Sequence, residues 1–133
     1  MTWLQTYTGK RFDLKDIANA PIDIEDIAHA LALTNRFGGH TSCPYSVAQH
    51  CCLVSDLLPD YLILAGLLHD AAEAYMGDLI SPIKVELRAG WLERQIMNRI
   101  EAVFNEPRCS HPLVKEMDRR ALATEARDLM PDI

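Results

Sequence analysis

The segment from Tyr61 to Met76, YLILAGLLHDAAEAYM, limits the fold more than any other part of the chain. It holds the longest fully apolar run, Leu62 to Leu68 with Gly66 inside it, and its Leu and Ala residues are apolar nearly all round a helix. Such a helix belongs at the centre of a bundle, since the run is far too short to span a bilayer. Asp60 is placed to cap its start, and Gly77 closes it as a residue at home in the left-handed conformation.

The flanking sequence supplies the other helices. Asp23 caps a segment in which Ile24, Ile27, Ala28 and Leu31 recur at helical spacing, expected to run to the glycines Gly38 and Gly39. Ser46 and Gln49 form a capping box that opens a second helix through Leu58, where Pro59 stops it. Ser81 with Pro82 begins a short helix broken at Gly90; Leu92, Ile96, Ile100, Val103 and Phe104 mark the next. Ser110 and Pro112 open the last, with Leu113, Met117, Ala121 and Leu129 as its stripe. Ahead of these, β-favouring residues on either side of Thr8-Gly9-Lys10 predict a short hairpin. The 133 residues, 49% hydrophobic, suffice for one core. The expected architecture is therefore all-α: a single domain over 1–133, with an N-terminal hairpin and linker over 1–22 and a compact bundle of five or six helices over 23–133.

A formal charge of −6 argues against gripping a nucleic-acid polymer. Of the four cysteines, Cys51 and Cys52 are adjacent, and Cys43 and Cys109 have no CxxC partner. They form neither a disulfide framework nor a zinc framework, which with the polar N-terminus gives the expectation of a cytoplasmic protein free of the membrane.

Several polar side chains fall on faces that otherwise read as buried. His50 projects from a stripe of Val47, Leu53 and Val54; taken alone, it reads as a hydrogen-bonded core histidine. His69 and Asp70 lie one turn before Glu73, so all three can address one spot. A carboxylate pair beside a histidine is costly as naked charge, whereas a divalent cation makes both anions useful as ligands. A surface salt-bridge role is the alternative. Asp118 sits among Val114, Ala121 and Leu122, and its neighbours Arg119 and Arg120 point elsewhere; an ion pair from another helix is the competing explanation.

His50, His69, Asp70 and Asp118 together spell H…HD…D, and the phrases YSVAQHC, LLHDAAEAYMGDLISPIK and VKEMDRRALATEARDL surround it. In these phrases the chain resembles the HD-domain metal-dependent phosphohydrolases from Arg36 to Asp128, most closely the branch containing bacterial 5'-deoxynucleotidases and phage dATP triphosphohydrolases. Two departures stand out. Gln49 replaces a Glu found before the ligand histidine in many relatives, and the sequence stops at Ile133 where relatives usually continue.

The resemblance implies one divalent transition metal (Mn, Co, Ni, Fe or Zn) on His50, His69, Asp70 and Asp118, with Glu73 and Asp78 as the acidic residues that handle the attacking water. Asp78 also reads as simple loop structure. Arg36 and Phe37 match an element that contacts phosphate and sugar, although Arg36 capping the first helix and Phe37 filling the core is the plainer explanation. His40 and Lys84 are weaker candidates for substrate contact. The expected function is a metal-dependent phosphohydrolase of deoxyribonucleotides, acting on a monophosphate or a triphosphate. The alternatives are a non-catalytic nucleotide- or metal-binding signalling module and, less favoured, a nuclease. A homodimer or larger homo-oligomer is expected from the short C-terminus.

Overall fold

In a computed structural model describing residues 1–133, a two-stranded antiparallel hairpin precedes a helical bundle. Strands β1 (Trp3–Gln5) and β2 (Arg11–Asp13) pair with Leu4 opposite Phe12, and Gly9 takes the turn with φ of +86°. The hairpin is fastened to the first helix, α1 (Ile24–Leu33), by Thr8, whose backbone N–H and hydroxyl donate to the two oxygens of buried Asp26 at 2.7 and 3.0 Å. Phe12 then stacks on Tyr75 with ring centroids 4.3 Å apart, so the hairpin closes one end of the core.

The remaining helices are α2 (Val47–Asp56), α3 (Ile63–Leu68), α4 (Glu73–Met76), α5 (Ser81–Glu86), α6 (Gly90–Phe104) and α7 (Pro112–Leu129). Asp23 caps α1 through Glu25 N–H, and the Ser46–Gln49 capping box opens α2. Two apolar clusters fill the interior. One gathers Ile27, Leu31, Cys51, Leu68, Ile96 and Ile100, the other Val54, Leu58, Leu62, Val114 and Met117. Because α2 and α3 contribute to both, they form the spine of the bundle. No helix is long and apolar enough to cross a membrane.

Several boundaries differ from the expectation. The central segment is not one helix: a 3₁₀ turn at Asp60–Leu62 leads into α3, and His69 to Ala72 form a tight turn before α4. Within that turn Ala71 N–H reaches back to Leu68 O and Glu73 N–H to Asp70 O, at 2.9 and 3.0 Å, which is the shorter 3₁₀ spacing. Asp60 makes no side-chain cap. Nor is α3 enclosed, since Ile63, Leu64 and Leu67 are exposed while Ala65, Gly66 and Leu68 face inward. Helix α1 stops at Leu33, short of the glycines, because Thr34 turns extended and Asn35 pairs with Ser46 in an isolated antiparallel bridge. Helix α2 ends two residues before Leu58. His111, in place of Ser110, caps α7, with Nδ1 accepting from Leu113 N–H at 3.0 Å.

Gly66 sets the distance between α2 and α3. A Cβ there would lie 2.5 Å from Leu58 Cδ1 and 3.2 Å from Ser55 Cα, and the second of these is backbone that cannot swing away. Gly66→Ala should lower stability by about 1–2 kcal/mol, because overpacking of about 1–3 kcal/mol outweighs the roughly 1 kcal/mol gained in helix propensity. A thermal melt of the two proteins reads this directly, and an unchanged or higher Tm contradicts the packing argument.

Candidate metal centre

His50 lies one turn into α2, where the capping box has fixed the helix start, and its side chain is completely buried. His69 follows the last residue of α3, and the tight turn immediately after it swings Asp70 onto the same side. Asp118 arrives from the second turn of α7, with its side chain 41% exposed. Three chain segments thus deliver the four residues to one place. Their ligand atoms all lie within 4.8 Å of one another. Ligands around a transition metal stand about 2.0–2.3 Å from it, so opposite donors are roughly 4–4.6 Å apart, and the cluster can hold one metal ion.

Both imidazoles are anchored through Nδ1. That of His50 donates to Glu125 Oε2 at 2.8 Å and that of His69 to the Gly66 carbonyl at 2.6 Å, which leaves both Nε2 atoms directed at the carboxylates. His50 Nε2 is 2.8 Å from Asp118 Oδ1 and 3.4 Å from Asp70 Oδ2. His69 Nε2 lies 3.2 Å from Asp70 Oδ2 and 3.4 Å from Asp118 Oδ1, yet it is a buried atom with no hydrogen-bond partner of adequate geometry. An orphaned imidazole nitrogen facing two carboxylates suits a divalent cation, which would take all four donors as ligands.

The electrostatics are consistent with that donor set. Burial alone would lower the pKa of both imidazoles, but hydrogen bonds to Asp118 and Glu125 raise His50, and the Asp70 charge, followed by the close polar contact with Asp118, raises His69 well above the usual histidine range. Burial opposes ionisation of Asp70 and Asp118 as well, and the facing imidazoles overcome it, so both carboxyls fall below their ordinary values. Glu73 goes the other way. Burial first, then the nearby Asp70 and Asp78 charges, push its carboxyl far above the usual range, and its Oε1 has no partner.

Beside the cluster lies a cleft of about 330 Å³ whose walls include Arg36, Phe37, Asp70, Glu73, Asp78, Lys84 and Asp118. Arg36 enters it from a turn at Arg36–Gly39 in which Phe37 is held at φ +56°, a strained conformation for an aromatic residue, with the guanidinium carbon 5.2 Å from its ring centroid. Arg36 donates through Nη2 to Glu125 Oε1 at 3.0 Å, and Nη1 stands 4.0 Å from Asp70. It does not cap α1, and Phe37 is only half-buried. Lys84 reaches the cleft wall but is paired with Glu93 at 2.7 Å. His40 is exposed and lines a separate groove with Ser42 and Asp128, away from the cleft.

Glu125 and Tyr45 were not singled out from the sequence. Glu125 is buried on α7 and accepts from His50, from Arg36, and from the Tyr45 hydroxyl at 2.5 Å. The available signal was its spacing: it falls seven residues after Asp118, two helical turns along the same face.

Since raised imidazole pKa values mean that a cation must displace protons, metal affinity should rise with pH until His50 and His69 are deprotonated, with proton release on binding. Calorimetry in buffers of different ionisation enthalpy measures the released protons, and an affinity independent of pH would contradict the ligand assignment. Asp70→Asn should weaken binding by at least the roughly 10–100-fold that loss of an outer-shell partner costs.

No family model matches the chain. The uncharacterized protein YfdR of Escherichia coli (strain K12) is 41% identical over 134 residues, which cover 97% of this chain and 73% of that protein. An uncharacterized protein of Rhodobacter capsulatus is 41% identical over 100 residues, covering 68% of this chain and 51% of its own length. By the extent and identity of the first match, the chain belongs to the family of YfdR.

Proposed function

We propose that this chain is a metal-dependent phosphohydrolase of the HD-domain type acting on deoxyribonucleotides. The observation that carries the reading is the meeting of His50, His69, Asp70 and Asp118 from three separate segments, beside a cleft that presents an arginine and two further acids. The sequence phrases around these residues support it, because they resemble those of that superfamily.

A divalent ion on the four ligands would supply positive charge that polarises a phosphoryl oxygen and draws the Glu73 carboxyl back toward its ionised form. The protein's own groups do the rest. The Glu73 carboxylate, which lines the cleft and has Oε1 unpartnered, accepts a proton from the attacking water. Asp78 stands in the same wall and helps to orient that water. Arg36 keeps Nη2 on Glu125 and has Nη1 free of hydrogen bonds, so it can reach a phosphate without losing its anchor. Phe37 offers a flat surface to the sugar. With Lys84 committed to Glu93, Arg36 is the main cation left for phosphate, and this favours a nucleoside monophosphate over a triphosphate.

Release of phosphate from a panel of nucleoside mono- and triphosphates, with Mn, Co or Mg added separately, tests the reading. A deoxynucleoside monophosphate should be preferred and a chelator should abolish turnover; no metal-dependent release from any member defeats it. Glu73→Gln should keep its metal while turnover falls by roughly 10²-fold or more, whereas Arg36→Ala should chiefly raise KM.

A further inference from the structure

Glu125 is neither one of the four ligand residues nor part of the cleft wall, yet three polar groups converge on it. One oxygen, Oε2, accepts from His50 Nδ1 at 2.8 Å and from the Tyr45 hydroxyl at 2.5 Å; the other accepts from Arg36 Nη2 at 3.0 Å. The side chain is 2% exposed, so no water competes for these bonds.

We propose that Glu125 is a positioning residue that links metal binding to anion binding, by fixing the tautomer of His50 and holding Arg36 with the same carboxylate. An ionised carboxylate has only acceptors, so the hydrogen between it and His50 belongs to Nδ1. The neutral ring then has its lone pair on Nε2, the atom facing Asp70 and Asp118. The Arg36 guanidinium neutralises the same buried carboxylate through Nη2 and leaves Nη1 without a hydrogen bond, 4.0 Å from Asp70. Metal ligand and phosphate clamp therefore share one support, and a change in either is felt by the other. Reciprocity follows: whatever factor phosphate contributes to metal affinity through this link, metal contributes to phosphate affinity.

The inference rests on the metal-centre reading and is tested on the full chain with Mn²⁺ and inorganic phosphate as probes. Glu125→Gln should lower Mn²⁺ affinity by roughly 10–100-fold and weaken phosphate binding to the Mn²⁺-loaded protein. Tyr45→Phe should stay within about threefold of wild type on both, since both charged or ring partners of Glu125 remain. Circular dichroism shows whether each variant is folded. If Glu125→Gln fails to fold, nitrogen NMR of the Zn²⁺-loaded wild type decides: hydrogen on His50 Nδ1 upholds the assignment, and hydrogen on Nε2 overturns it. A folded Glu125→Gln protein that binds Mn²⁺ like wild type overturns it, as does a Tyr45→Phe protein damaged equally. Wild type that binds no divalent ion defeats the metal-centre reading itself, and this inference with it.

Discussion

The close approach of α2 and α3 at Gly66 is the contact on which the site depends. Ser55 backbone and the Leu58 side chain occupy the space a Cβ would need, so the two helices run near enough for His50 and His69 to face each other with ring centroids 5.2 Å apart. The same glycine serves twice. Its carbonyl receives the His69 Nδ1 hydrogen, so the residue that permits the packing also aims the imidazole. The two apolar clusters on either side then hold the pair in place, with His50 and Asp118 on packed helices and His69 and Asp70 on the tight turn that follows α3.

A centre of this kind is expensive to fold. Asp70, Asp118, Glu73 and Glu125 crowd around two imidazoles and one guanidinium, and burial opposes ionisation of every one of the acids. The chain meets that cost by pairing: Glu125 with Arg36 and His50, Asp118 with both histidines. What pairing leaves over near Asp70 is Arg36 Nε, His69 Nε2 and Glu73 Oε1, three buried polar atoms without a hydrogen-bond partner. Unsatisfied groups inside a satisfied framework are where chemistry is found, since elsewhere they would only destabilise.

Much of this was legible beforehand because it is written in local physics. Capping at Asp23 and Ser46, the turn at Gly9 and the apolar stripes of α6 and α7 each depend on a few neighbouring residues. The end of α1 was decided by partners outside the helix: Thr34 and Asn35 leave α1 to meet Ser46 and Val47, a bridge no helical periodicity announces. The segment Tyr61 to Met76 reads as continuous helix because its turn at His69 to Ala72 stays right-handed and contains good helix formers. Within the site, the four proposed ligands stood out as polar residues on apolar faces. Glu125 did not, lying in the charged stretch TEARD where an acid looks solvated; only the fold shows it turned inward. The branch of phosphohydrolases was suggested by motif phrases and is a reading of chemistry, which backbone geometry alone does not carry.

The bridge between Asn35 and Ser46 has a consequence for how such a protein can diversify. Arg36 N–H bonds Tyr45 O at 2.9 Å and Val47 N–H bonds Thr34 O at 2.8 Å, so the chain is clasped at both ends of the Phe37–Pro44 stretch. Arg36 and Tyr45 are also the two residues of this region that reach Glu125, and both sit at the clasp. The loop tip beyond it meets α7 only at the last residue of that helix, where Ser42 N–H bonds Leu129 O at 2.9 Å, far along the helix from Asp118. Exchanges at Phe37, which lines the cleft just outside the clasp, can therefore reshape that wall while the clasp keeps the buried centre in register, a division between an adjustable wall and a fixed floor that lets one scaffold be retuned to different molecules.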